Sequence, residues 1–181
     1  MNNDTEHDHI KAEDIDPEFV DSLVDAGADR IRTCIQCGVC SSVCPSGRRT
    51  AFRTRELMRK AVLGLKDEVE SSQDLWLCST CYTCLEQCPR QIKTTDAILI
   101  MRNMAAEDGY MLPEHKKTSE KLLETGHAVP IDSANKKMRK ELGLGELPPT
   151  VHSHPDALEH VKKIMKRTGF NDLIEQQGAD T

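Results

Sequence analysis

Apolar residues recur along this chain at helical rather than strand spacing, and most runs close on a recognisable stop. Phe19, Val20, Leu23 and Val24 form a stripe behind Asp16-Pro17, where a capping aspartate followed by proline at the first helical position marks a helix start. That helix is expected to run to about Ala28. Leu57, Met58, Ala61, Val62 and Leu65 form a second stripe, which predicts an inserted helix within 54–76 with a polar turn at Ser71-Ser72. A third helix has Thr94 or Thr95 as its cap, the apolar run 97–101, and Gly109 as its stop. Nothing before that point has the alternation of a strand. Beyond Pro113, the segments 114–126, 133–143 and 154–169 each read as a charged helix closing near glycine, and Leu147-Pro148-Pro149 sets the last apart.

The predicted fold is therefore all-α, in three parts. Residues 1–15 are polar, acidic and aperiodic and read as a flexible tail. Residues 16–112 make the main domain, and 113–181 a helical extension whose few apolar positions suit a partner contact; the last residues, 175–181, are expected to fray.

Composition sharpens this picture. Of 181 residues only 38% are hydrophobic and 3% aromatic, a lean core for the length, so something besides apolar burial is expected to hold the domain together. The net charge of -6, from 24 Lys+Arg against 30 Asp+Glu, argues against general nucleic-acid binding. No apolar run approaches the roughly 20 residues that span a bilayer, and the start of the chain lacks the basic and apolar regions of a secretory signal. The chain is expected to be soluble and cytoplasmic, where clustered cysteines serve metal or redox chemistry more often than disulfides.

The cysteines carry the chemistry. Cys34, Cys37, Cys40 and Cys44 precede Pro45, and Cys78, Cys81, Cys84 and Cys88 precede Pro89; both sets read C-x2-C-x2-C-x3-C-P, and each cysteine of the second lies 44 residues after its counterpart. This is the bacterial ferredoxin run for [4Fe-4S] clusters, in which three closely spaced thiolates wrap one cubane and the fourth reaches across to the other. The spacing predicts two [4Fe-4S] clusters: cluster 1 on Cys34, Cys37, Cys40 and Cys88, and cluster 2 on Cys78, Cys81, Cys84 and Cys44. A zinc site has no use for a third cysteine in the same run. One thiolate for each iron leaves no open coordination position, which points to electron transfer and to no catalytic residue on this chain. No G-x-G-x-x-G, G-x4-G-K-[ST] or C-x-x-C-H occurs, so flavin, nicotinamide, nucleotide and haem are left to other chains.

Arg30, Arg32, Arg48, Arg49, Arg53 and Arg55 crowd the first motif, whereas Trp76, Tyr82, Glu86, Arg90 and Lys93 flank the second. Two readings stand: the arginines raise the potential of cluster 1, or they form a solvated or partner-docking face whose charge is screened. Trp76 and Tyr82 lie near cluster 2 or serve packing.

Two such motifs separated by a helical insert resemble an alpha-helical ferredoxin domain. The stretches 34–49, 54–65 and 75–92 resemble the C subunit of heterodisulfide reductase from methanogenic archaea, over about residues 16–130. The resemblance implies an electron-transfer subunit that carries electrons from a flavin- and iron-sulfur-containing A subunit to a B subunit with Cys-Cys-Gly repeats. There the disulfide of coenzyme M and coenzyme B is reduced in methanogenesis. A hydrogenase or formate dehydrogenase feeds the A subunit, with flavin-based electron bifurcation in the hydrogenase-linked complexes. The eight cysteines carry over as the cluster ligands. Adjacent cysteines are absent from this chain, which separates it from the disulfide-reducing subunit. The alternative is a free ferredoxin-like carrier or an iron-sulfur redox sensor; the 90 or so residues that follow the last ligand, more than a small carrier needs, favour lasting contacts.

Overall fold

The computed structural model describes residues 10–175, so the start of the expected tail and the last six residues lie outside it. Among the described residues all regular structure is helical. The chain folds as two compact units, Met1–Asp108 and Gly109–Thr181.

In the first unit the chain enters through a short 3-10 turn, Ala12–Asp14, where the Lys11 amide donates to Asp14 Oδ2 at 2.7 Å. Helix α1 spans Phe19–Asp25. Asp16 acts at its start, accepting from the Glu18 amide at 2.9 Å. The helix stops before Ala28 because Gly27 turns left-handed at φ +117° and the Ala28 amide bonds back to Leu23. After the first motif and its four-residue helix α2, Val39–Ser42, the insert begins.

The single inserted helix expected from the sequence is broken in two: α3 is Thr54–Leu63 and α4 is Lys66–Glu70, followed by a 3-10 turn at Gln73–Leu77. The cause is Gly64, left-handed at φ +79°, whose carbonyl accepts from the amides of Asp16 and Lys66. A helix cannot continue through that conformation. The polar turn is real, with Ser72 Oγ accepting from the Asp74 amide at 3.2 Å. Helix α5 is Thr83–Glu86, and α6 is Thr94–Glu107, followed by a left-handed Gly109. Neither threonine caps α6. Lys93 stands at the cap, while Thr94 and Thr95 are buried within the first turn.

Helix α6 is the spine of this unit, packing against α1, α4, α5 and the 73–77 turn. Phe19, Leu23, Ile31, Phe52, Met58, Leu65, Leu75, Ile98 and Met101 fill the core between them. The short helices within the two motifs, α2 and α5, pack on each other.

The second unit contains α7 (Pro113–Thr125), α8 (Ser133–Glu141), α9 (Pro155–Arg167) and α10 (Phe170–Glu175). Helix α10 is an addition to the three helices expected, set off from α9 by left-handed Gly169. Among the described residues α7 and α8 bury no side chain, and Pro148, Met165 and Ile174 are the buried apolar residues of this unit.

Candidate metal centre

The repeat in the sequence is a repeat in backbone conformation. Cys34 and Cys78 are both extended, at φ -64°, ψ 118° and φ -67°, ψ 121°, each closing a 3-10 turn. Gln36 and Thr80 are left-handed, as are Gly38 and Tyr82, so a left-handed residue flanks Cys37 and Cys81 on either side. Short helices then begin at Val39 and Thr83. Mixing left- and right-handed residues turns successive backbone N–H groups into a concave nest suited to anionic sulfur. Only Gly38 advertises this conformation in the sequence. At Gln36, Thr80 and Tyr82 nothing in residue type signals it.

No disulfide joins any of the eight cysteines; Cys44 and Cys84 are buried, and Cys37 and Cys81 are exposed. Cys34, Cys37, Cys40 and Cys88 line one cavity together with Gly38, Arg55, Met58 and Ile92. Cys78, Cys81 and Cys44 disfavour the charge of Cys84, and Cys84 in turn acts on Cys40. Burial pushes the Cys40 thiol up to about 11, helped by nearby Cys84, Cys34 and Cys37. Burial also raises Cys84, whereas the Thr83 hydroxyl and amide lower Cys81.

Hydrogen-bond donors reach the sulfurs from several elements. Gln36 Nε2 lies 3.3 Å from Cys34 Sγ, the Gly47 amide 3.3 Å from Cys44 Sγ, and the Ile92 amide 3.4 Å from Cys88 Sγ. Thr95 Oγ1 lies 3.4 Å from Cys84 Sγ, and the Cys81 thiol donates to Thr83 Oγ1 at 3.5 Å. Arg102 on α6 donates from Nε to the Leu75 carbonyl at 3.0 Å and from Nη2 to the Cys78 carbonyl at 2.6 Å, while its guanidinium sits 5.7 Å from the Trp76 ring centre. Thr83, Thr95 and Arg102 escape a reading of the sequence. Their types are common in helices, and only packing brings them to sulfur.

The arginines of the first motif divide by what they touch. Arg32 pairs with Asp21, Arg30 reaches Gln91 Oε1 at 3.3 Å, and Arg53 Nη1 donates to the carbonyls of Gly47, Thr50 and Phe52. Arg55, exposed at the mouth, is the one that lines the cavity of Cys34 and Cys88. Trp76 is a stacking partner for Arg102.

This donor set fits [4Fe-4S] clusters. Thiolates gathered and partly buried repel one another, a cost that the positive charge of an iron-sulfur core offsets. Among the described residues no three His, Cys, Asp or Glu side chains converge as a single-ion site requires, in keeping with thiols that spread around a larger group. Also among them, no helix is long and apolar enough to cross a membrane.

Residues 30–92 match the family model of the 4Fe-4S dicluster domain, so the cofactors are two [4Fe-4S] clusters. The chain is 50% identical over 169 residues to the C subunit of the H(2):CoB-CoM heterodisulfide,ferredoxin reductase of Methanothermobacter marburgensis, covering 93% of this chain and 91% of that one. It is 48% identical over 160 residues to the C subunit of the ferredoxin/F(420)H(2)-dependent CoB-CoM heterodisulfide reductase of Methanosarcina acetivorans, covering 88% and 98%. It is 41% identical over 173 residues to a C subunit of the H(2)/formate:CoB-CoM heterodisulfide,ferredoxin reductase of Methanococcus maripaludis, covering 91% and 94%. Identity of this order, sustained along nearly the whole of both chains and joined to a doubled cluster motif, makes the chain a member of the iron-sulfur C-subunit family of CoB-CoM heterodisulfide reductases.

Proposed function

We propose that this chain carries electrons within a cytoplasmic CoB-CoM heterodisulfide reductase, with cluster 1 held by Cys34, Cys37, Cys40 and Cys88 and cluster 2 by Cys78, Cys81, Cys84 and Cys44. The observation that supports the crossed ligand sets is the cavity lined jointly by three cysteines of the first motif and Cys88 of the second.

When bound, the clusters supply one-electron redox centres. The chain's own residues hold and insulate them. Eight Sγ atoms serve as ligands, the amides of Gly47 and Ile92 stabilise negative sulfur, and the packing of α2 on α5 keeps the two motifs adjacent. Exposed Cys37 and Cys81 bring one ligand of each set to the surface, where an electron can enter or leave over a short distance.

The names of the relatives differ in electron donor and share the CoB-CoM heterodisulfide. The partners proposed for this chain are accordingly a flavin- and iron-sulfur-containing A subunit on the donor side and a B subunit with Cys-Cys-Gly repeats on the acceptor side. A hydrogenase or formate dehydrogenase lies upstream. The second unit, 109–181, is proposed as a partner contact, since its helices α7 and α8 bury nothing of their own among the described residues.

Two experiments test this. Anaerobic purification of the native protein at moderate salt, with mass spectrometry, should recover a flavoprotein and a Cys-Cys-Gly protein; recovery of the chain alone would replace the subunit by a mobile carrier. Electron paramagnetic resonance of the reduced Cys88→Ser protein should show the same signal altered as in Cys37→Ser. Alteration of the Cys81→Ser signal instead would overturn the crossing.

A further inference from the structure

The two ligand sets are repeats in sequence and backbone, yet their surroundings differ. Cys84, the buried ligand of the second motif, has the Thr95 hydroxyl 3.4 Å from its sulfur, and Thr95 is fully buried in the first turn of α6. Its counterpart Cys40 has Ala51 at the position matching Thr95 in the 44-residue repeat, which offers no hydroxyl. The first set has a side-chain donor of its own, Gln36 Nε2, 3.3 Å from Cys34 Sγ, but that amide is only part-buried, whereas Thr95 is fully enclosed. The cations differ too. Arg102 is half-buried and bonded through Nη2 to the carbonyl of Cys78, so its charge is fixed beside that ligand and little screened. Arg55 and Arg90, which line the cavity of the first set, are exposed and screened by solvent.

A hydrogen bond to a cluster sulfur and a nearby cation both favour the more negative, reduced state and so raise the potential. We infer that Thr95 and Arg102 make the cluster on Cys78, Cys81 and Cys84 the higher-potential centre of the two, so that the first electron to enter the chain rests there. This rests on the proposed assignment of those three cysteines to one cluster, and it holds whichever cysteine is the fourth ligand. Thr95 and Arg102 are positioning residues: they touch sulfur and backbone and act through them.

The test is an anaerobic redox titration of the full chain with both clusters loaded, followed by electron paramagnetic resonance, with iron and sulfide counted for every variant. In Thr95→Val the higher of the two midpoints should shift downward while the lower stays, and Thr95→Ser, which keeps the hydroxyl, should retain the parent value. Arg102→Gln, an independent variant should Thr95→Val lose iron, should lower the same midpoint. Arg55→Gln should move neither by a comparable amount. A shift of the lower midpoint, or no shift in either variant with iron intact, would overturn the inference. Failure of the ligand reading looks different: Cys78→Ser and Cys84→Ser would then alter different cluster signals, and Thr95→Val and Arg102→Gln would shift different midpoints.

Discussion

The carbonyl of Gly64 accepts a hydrogen bond from the amide of Asp16 at 2.8 Å, so the break between α3 and α4 is also the anchor for the entry to α1. A Cβ on residue 64 would overlap the Asp16 carbonyl oxygen and press on Ile15 Cγ2 at 3.3 Å, in a left-handed backbone. Gly64→Ala therefore combines strain of about 1–2 kcal/mol with loss of a buried contact worth about 1 kcal/mol. It should lower the anaerobic thermal midpoint of the cluster-loaded protein by about 10 °C or more. An unchanged midpoint would show that the 15–17 segment yields freely.

Glu70 predicts a pH dependence remote from the cysteines. It is buried on α4, its Oε1 has no hydrogen-bond partner, and burial followed by its hydrogen bond to Asp108 pushes its carboxyl up to about 8. Asp108 itself is held down by Lys66, 2.7 Å away, while Lys66 and Asp67 are the other charges acting on Glu70. Because the folded state holds the Glu70 proton more tightly than the unfolded chain, this group's contribution is fully present below about 4.5 and declines as pH rises toward about 8. Asp108 has the opposite sign, contributing above its ordinary value and losing that contribution in acid. Glu70→Gln should flatten the decline between those limits, so that the variant gains on the parent as pH rises. Parallel midpoint curves for the two proteins would refute a protonated Glu70.

The pair Gly38 and Tyr82 offers a comparison within one molecule, since both sit after the second cysteine of a motif with positive φ, 84° and 62°. Gly38→Ala meets only Arg55 Cδ at 3.7 Å, so its cost is conformational, about 1–2 kcal/mol. Tyr82→Asn should relieve part of the strain, because asparagine enters the left-handed region more readily than tyrosine, but the residue is 42% exposed and the covered remainder of the ring is lost. Thermal midpoints measured with clusters intact should fall for the first variant and fall by less for the second.

Removal of iron should unravel the motifs before the spine. The four-residue helices α2 and α5 are too short to persist by themselves, and without the clusters their cysteines have no common core to hold them. Hydrogen exchange after chelation should show early loss of protection over 31–47 and 75–91, with α6 protected longest. Uniform loss across the first unit would mean that the clusters hold the whole core.

Much of this centre is legible in the chain itself. Cysteines three and four positions apart can reach only a short distance, so covalent spacing alone settles the doubled motif and the cluster type. The recurrence of apolar residues settles the helical class, because that spacing presents one face to a core. The sequence is silent wherever a decision depends on residues distant along the chain. Gly64 reads as one glycine inside a helical pattern; it becomes a break because the Asp16 amide is delivered to its carbonyl. Thr95 resembles a helix cap and Arg102 a surface arginine, but α6 packs against α5 and the 73–77 turn, setting Thr95 on Cys84 Sγ 11 residues away and Arg102 on the Cys78 carbonyl 24 residues away. Spacing picks out the cysteines. The different surroundings of two motifs alike in spacing come from which helix each one packs against, because hydrogen bonds and buried charge act through space rather than along the chain.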